Sequence, residues 1–304
     1  MRFTVTASLP VRAPYRLDLT ADALRRLAGN IVDTVDANGV YRRALADERG
    51  TNIVAVRQTS ARELEVRIAG REGRRWLPAV ARMLGTQTTL TEFYRRAEAV
   101  PWLDALAREL RGLKPPRYPD MWEALCHSIV FQQISIHAAA SIMRRTIEAL
   151  GEPVSAGDGL LLFPFPRPRR MLAANEATLR GAGLSVNKVA HLRAAAQAIL
   201  GGDLDDAGIE ALPTEAASDL LCEIRGIGRW SAAVVLLRGF GRLDTFPMGD
   251  SGVARSVRTI TGNASVNVDA VLAALGPTRG MLYFHLLLGR MRNLGAAAAN
   301  PRRS

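Results

Sequence analysis

Leu221-Cys222-Glu223-Ile224-Arg225-Gly226-Ile227-Gly228-Arg229-Trp230-Ser231-Ala232-Ala233 is the stretch that decides the fold. A helical pattern from Pro213 runs to Ile224, meets Gly-Ile-Gly, and a second helical pattern begins at once and continues to Gly239. Two glycines permit backbone with φ > 0 and expose N–H groups at the start of the second helix, while Ile227 is placed to anchor the turn between the helices. Such a turn can grip a phosphate, because free N–H groups and the positive end of a helix attract an anion without reading a base. Gly-Ile-Gly alone fits a plain αα-hairpin equally well.

Outward from the hairpin, the chain divides. Residues 1–87 read as strands and turns. Phe3 to Leu9 is a strand pattern, Asn38-Gly39 marks a turn between 31–37 and 40–44, and 52–58 pairs with 63–69 as a hairpin. Two helical segments interrupt this, one capped by Thr20 and one from Trp76 to Leu84. An antiparallel sheet with a helix or two across one face is the simplest packing. From residue 88 onward, apolar residues recur at helical intervals almost without exception: 91–97, 101–110, 120–150 with a break at Gln132-Gln133, 168–174, 176–181, 188–200, 213–224, 229–239, 250–261, 268–274 and 279–294. The expected organisation is an α+β domain over 1–87, a helical lobe over 120–225, and a second helical lobe from 88–119 with 226–304. Ala296 to Ser304 reads as a frayed end.

Composition narrows the class. With 304 residues, 48% hydrophobic and 23% charged, the chain has the make-up of a folded protein, not a disordered one. No stretch has the roughly 18 to 20 apolar residues of a bilayer span, and no signal-peptide core stands at the start, so no membrane partner and a cytoplasmic location are expected. Cys126 and Cys222 are too few and too far apart for a zinc or iron–sulfur site, and both are expected to be buried and inert. The formal charge of +11 favours a polyanionic partner. Residues 251–304 contain seven arginines against Asp269, whereas 201–250 contain four against nine acids, which suggests an oriented surface.

The hairpin is followed by Gly239-Phe240-Gly241-Arg242-Leu243-Asp244-Thr245-Phe246-Pro247-Met248-Gly249-Asp250-Ser251-Gly252-Val253-Ala254-Arg255, with 22 residues from Gly228 to Asp250. Hairpin, helix, Gly/Pro-rich loop and Asp together resemble the helix-hairpin-helix superfamily of DNA glycosylases, in its 3-methyladenine DNA glycosylase II branch. Trp122 to Ser135 and the segment from Phe163-Pro164 through Gly183-Leu184-Ser185 to Lys188 extend the resemblance over most of 88–294. The resemblance implies duplex DNA with a damaged base as partner, a monomer, a base flipped out of the helix, and a sheet-containing start followed by a two-lobed helical core.

Chemistry gives the residues their expected roles. Cleaving an N-glycosidic bond builds positive charge on the deoxyribose, which a carboxylate facing the sugar stabilises. Asp250, ahead of a helical run, is the expected catalytic group, held ionised by the helix dipole and nearby N–H groups. Asp244 is the competing carboxylate, read as a loop brace. Strand-nicking members of the resembling family carry an amine at the second position after Gly-x-Gly, where this chain has Trp230. Lys114 and Lys188 are its only lysines. A monofunctional enzyme that leaves an abasic site is expected. Trp230 would stack an electron-poor alkylated purine, with Phe131 and Tyr283 beside it. Val234 and Thr278 stand at wall positions where family members often carry aromatics.

Arg225, Gly226, Ile227, Gly228, Arg229 and Ser251 are the expected DNA contacts, with Gln133 and its neighbour Gln132 as the wedge that fills the vacated space. The four histidines, His127, His137, His191 and His285, lack metal-ligand spacing. No organic cofactor is expected, but the resemblance implies a Na+ or K+ on carbonyls near Cys222, Ile224 and Ile227. Excision of oxidised or deaminated bases, and a non-catalytic DNA-binding module, are the competing readings.

Overall fold

A computed structural model describes residues 2–27, 29–157, 159–263 and 265–298, with the side chains of Ser251 and of 293–298 outside that description. The end of the arginine-rich tail, 299–304, therefore lies outside the described residues.

Five strands, β1 (Val5–Pro10), β2 (Asp33–Val35), β3 (Tyr41–Asp47), β4 (Gly50–Ser60) and β5 (Glu63–Ala69), form one antiparallel sheet in the order β1-β5-β4-β3-β2. Val54 pairs with Ile68 and Val56 with Val66, which aligns the apolar residues of the central strands on one face. The other face is also partly covered. A short hairpin of β6 (Val154–Ser155) and β7 (Leu161–Leu162) buries Leu162 and Ala156 against Ala44, Ile53 and Ala69. This hairpin is an exception to the all-helical reading after residue 88, and it explains why β4 is buried from Asn52 to Val56 without alternation.

Helix α1 (Leu17–Arg25) begins three residues before Thr20, whose hydroxyl donates to the Arg16 carbonyl 2.9 Å away and so sits inside the helix instead of capping it. A 3-10 turn leads into α2 (Leu77–Met83), followed by α3 (Thr91–Ala97) and α4 (Pro101–Glu109). The long 120–150 segment is two helices, α5 (Met121–Phe131) and α6 (Ile136–Leu150), capped by the side chains of Asp120 and Ser135. Then come α7 (Pro168–Ala173), α8 (Glu176–Gly181), α9 (Val186–Gly201), α10 (Asp206–Ala211), α11 (Thr214–Cys222), α12 (Arg229–Arg238), α13 (Ser251–Thr261), α14 (Val268–Leu275) and α15 (Gly280–Ala298). Among the described residues no single helix is long and apolar enough to cross a membrane.

Buried side chains form two main cores. One joins the sheet's inner face to α5, α6, α9 and the first part of α12; the other packs α3, α4, α14 and α15 with Leu237 at the far end of α12. Helix α12, buried from Ser231 to Arg238, passes through both. The sheet is fastened to α5 by Arg43, which donates to Asp33 at 2.9 Å and pairs with Glu123, all three almost wholly buried. Burial pushes the Glu123 carboxyl up, and the Arg43 guanidinium pulls against it. Cys126 is buried; Cys222 is only partly so, because it lies at the end of α11 where the hairpin turns.

Candidate active site

The site is assembled around the turn between α11 and α12. Gly226 has φ +91°, and a Cβ there would stand 2.2 Å from the His191 ring, so both backbone conformation and packing require glycine. Gly228 does not use that freedom. Its φ of −101° is extended backbone open to any residue, and a Cβ would meet nothing within 4 Å. It is the N-cap of α12 and makes no side-chain cap, so among the described residues the first N–H groups of that helix have no hydrogen-bond partner. Ile227 is 4% exposed in the main core and pins the turn from below. Arg225 and Arg229 are exposed on either side; Arg229 is engaged with Asp219 at 2.6 Å and Ser218 at 3.3 Å.

The loop from α12 to α13 is held at several points. Phe240 and Phe246 are buried, Arg242 donates to the Ile209 carbonyl at 2.7 Å, and Asp244 accepts from Thr214 at 2.7 Å. The bracing role read for Asp244 has this contact behind it. Gly280 lets α15 approach closely, since a Cβ there would stand 2.6 Å from Leu237 and 3.0 Å from the Leu243 backbone. The loop delivers Asp250 to the N-cap of α13, where one carboxylate oxygen accepts from the Gly252 N–H at 2.7 Å. The other accepts from the Trp230 indole N–H at 3.3 Å. Trp230, in the first turn of α12, and Asp250 are both half-buried, so the carboxylate is oriented without being sealed off. Ser251 opens α13 behind it, but its side chain lies outside the described residues.

Phe131 and Tyr283, both half-buried, are brought together by a residue that sequence reasoning missed. Arg26, in the turn after α1, donates through Nη2 to the Tyr283 hydroxyl at 2.9 Å, and its guanidinium carbon lies 4.7 Å from the centre of the Phe131 ring. Burial alone would lower the Arg26 pKa; Tyr118, Tyr283 and the Asp250 carboxylate outweigh it and keep the group charged. Arg238 sets this turn in place by donating to the Ala23 and Leu24 carbonyls at the end of α1, at 3.0 and 3.1 Å. An Arg-Arg pair at a helix end is ordinary in sequence, so nothing local signalled Arg26.

Val234, one turn beyond Trp230 on α12, is 2% exposed, and Thr278 gives its hydroxyl hydrogen to the Leu275 carbonyl at 2.8 Å. Among the described residues no hydrogen bond joins either to Asp250.

Gln132 donates to the Gly226 carbonyl at 2.9 Å and to Ser231 at 2.7 Å, which ties the turn after α5 to the hairpin. Gln133 is exposed with φ +57°, a conformation uncommon for a residue with a Cβ. Lys188 holds that turn through the Val130 and Gln132 carbonyls at 2.6 and 3.1 Å, whereas Lys114 is buried and donates to the Thr88 carbonyl at 2.8 Å. His127 stacks on Tyr118 with ring centres 4.3 Å apart, and burial drives its pKa well down, as it does for the buried His285, to about 4. At the hairpin, the Ile224 carbonyl accepts from the Ile227 N–H at 3.0 Å and keeps a second lone pair. Neutral main-chain oxygens are the donor type that a hard cation of low charge takes, and in donor type alone the residues fit Na+ or K+.

A helix-hairpin-helix with an open helix N-terminus beside an aromatic-backed carboxylate defines a class of proteins built to hold a phosphate backbone next to an acid. Residues 126–275 match the model described as "HhH-GPD superfamily base excision DNA repair protein", and this part of the chain belongs to that superfamily. It is 31% identical to the DNA-3-methyladenine glycosylase of Bacillus subtilis over 171 residues, 56% of each chain. It is 29% identical to DNA-3-methyladenine glycosylase 2 of Escherichia coli over 239 residues, 77% of this chain and 80% of that one. The solved 3-methyladenine DNA glycosylase of Archaeoglobus fulgidus superposes with a TM-score of 0.78 at 24% identity, covering 94% of this chain and 99% of that one. That likeness shows the shared fold, sheet included. The chain spans about half the length of the first curated relatives it matches.

Proposed function

We propose that the protein is a monofunctional DNA glycosylase that hydrolyses the N-glycosidic bond of alkylated purines, 3-methyladenine-type cations among them, in duplex DNA and leaves an abasic site. The observation that carries this reading is Asp250, fixed by the Gly252 N–H and the Trp230 indole beside the hairpin. The names of the curated relatives support the substrate class.

In this reading DNA enters between two helical lobes, one built from about 120–225 and the other from 88–119 with 226 onward. The N-terminus of α12, with Gly226, Ile227 and Gly228, receives a phosphate; Arg225, Arg229 and Ser251 border it. Carbonyls of Cys222, Ile224 and Ile227 would hold a monovalent cation, which adds positive charge next to that phosphate. Gln133 enters the duplex as the target nucleotide leaves it, with Gln132 fixing its base to the hairpin. The everted base stacks against Trp230, with Phe131 and Tyr283 on the opposite wall and Val234 and Thr278 behind. A cationic purine gains about 0.5 to 2 kcal/mol on the indole over a neutral one.

As the C1′–N bond breaks, its electron pair leaves with the base and the sugar becomes cationic opposite Asp250. Water adds to C1′ and its proton passes to the carboxylate. No amine stands at position 230 to trap the sugar, so the chemistry stops at the abasic site. Base excision repair would take the product onward, and the protein acts as a monomer in the cytoplasm.

Duplexes each carrying one methylated, deaminated or oxidised base, treated with alkali after incubation, test the reading. Wild-type protein should release the alkylated base and nick nothing before alkali. Asp250→Asn keeps an acceptor for the α13 cap, so the fold and duplex affinity should hold while release falls at least about a hundredfold. Undiminished release by Asp250→Asn, or release from no alkylated duplex by the wild type, overturns the proposal.

A further inference from the structure

We infer that Arg26 is a specificity-determining residue of the base pocket, whose guanidinium donates to an acceptor atom of the everted purine and so opens the site to neutral purines as well as cationic ones. This rests on the glycosylase reading above and sharpens its substrate class.

Arg26 is 7% exposed, yet among the described residues its side chain makes one hydrogen bond, and that one goes to a neutral phenol. A guanidinium has five N–H donors. Among the described residues no carboxylate lies within ion-pair distance of it, and its Nε has no partner. Arg43 and Arg238 share the unpartnered Nε, but both of their terminal nitrogens are engaged: Arg43 by Asp33 and Glu123, Arg238 by two main-chain carbonyls, with the faces of Tyr118 and Phe284 beside it. A buried cation with most of its donors uncommitted is costly unless something else takes them. Its surroundings say what that is. The group lies over Phe131 and is held by Tyr283, two of the residues assigned to the base pocket; the small cavity on its other side, lined by Leu27, Ile31, Met143 and the polar Asn30 and Arg144, reaches neither Trp230 nor Asp250 and is not that pocket. An aromatic face with a donor beside it suits a flat ring that presents an acceptor at one edge.

The charges point the same way. Asp250 and Arg26 interact electrostatically, so the pocket is flanked by opposite charges. A cationic base is drawn by the first and repelled by the second, which reduces its ground-state advantage. Departure divides the two kinds of base further. A cationic purine leaves as a neutral molecule and needs no help. A neutral purine takes the C1′–N electron pair with it and becomes anionic until it gains a proton from water, and charge-assisted donation from Arg26 stabilises that anion.

Single-turnover release of hypoxanthine, which is neutral with a carbonyl acceptor, and of 7-methylguanine, which is cationic in DNA, reads the effect directly. In the wild type both should be released. Arg26→Met should slow hypoxanthine release at least tenfold while 7-methylguanine release stays within about threefold. Arg26→Lys should fall between. Melting temperature and affinity for a duplex with a stable abasic analogue check the fold. Tyr283→Phe removes only the hydroxyl that steers Arg26, so it should shift the ratio in the same direction by a smaller factor, and it carries the test if Arg26→Met does not fold. Parallel loss on both substrates, no change in the ratio, or a wild type that releases 7-methylguanine without hypoxanthine overturns the inference alone. A wild type that releases neither base overturns the glycosylase reading itself.

Discussion

Arg43 and Arg26 both carry a positive charge from the N-terminal part of the chain into the helical part, and the two ends of that seam are built in opposite ways. At Arg43 the charge is closed off, with Asp33 from β2 on one side and Glu123 from α5 on the other. At Arg26 it meets a phenol, an aromatic face and, farther off, the field of Asp250. The same residue type is thus a rivet in one place and an open hand in the other. What separates them is whether the counter-charge is supplied by the fold. The largest expected effect exploits this difference. Arg43→Met leaves two buried carboxylates facing each other without a cation, at a cost of about 3 to 5 kcal/mol, and should lower the melting temperature by roughly 5 to 15 °C. Arg26→Met loses one hydrogen bond, worth about 1 kcal/mol. Melting curves of the two variants side by side check the contrast, and equal losses would break it.

The hairpin repeats the comparison in its two glycines. Gly226 is closed in by His191, and Gly228 looks onto open space. Gly226→Ala combines a disfavoured φ, costing about 1 to 2 kcal/mol, with a clash that His191 must move to relieve. It should destabilise the protein by about 2 kcal/mol or more and weaken duplex binding, because the turn carrying the α12 N–H groups is displaced. Gly228→Ala should change stability by less than about 1 kcal/mol. Its methyl group would still project where a phosphate is expected to sit, so duplex affinity should fall while the melting temperature barely moves. Thermal melting together with fluorescence anisotropy on a labelled duplex separates the two.

How far these features could be read from the sequence follows the distance over which each is determined. The hairpin, the Asp250 cap and the break at Gln132-Gln133 are local, and glycine placement, helical spacing and a capping residue announce them. The strand pairing of 52–58 with 63–69 is nearly local and is found as expected. The two glycines look alike in the sequence, yet only Gly226 uses the freedom to take positive φ, while Gly228 leaves the helix end uncovered. Helix α10 and the β6–β7 hairpin are too short to show a period. Arg26 and Arg238 had no signal at all. Their partners are hundreds of positions away in the chain, Tyr283 for one and Ala23 with Leu24 for the other, and no spacing rule reaches that far.

Lys188 stands between the two extremes, and it yields the smallest expected effect. Its ammonium satisfies the carbonyls of Val130 and Gln132 at the end of α5, which have no partner within the helix. Burial lowers its pKa, but both acceptors lie inside the fold, as for a structural group. What it holds, however, is the turn that presents Gln133 at φ +57° on the surface. Lys188→Met keeps the aliphatic stem and removes the donor, and should cost about 1 kcal/mol of stability. If Gln133 fills the gap left by an everted nucleotide, the variant should lose base release several-fold on a fully paired duplex. It should lose far less on a duplex whose lesion faces a mismatch, where unstacking is already cheap. Gln133→Ala should show the same dependence with no change in melting temperature. Equal loss on both duplexes would make Lys188 a rivet like Arg43 and leave Gln133 without a part in eversion.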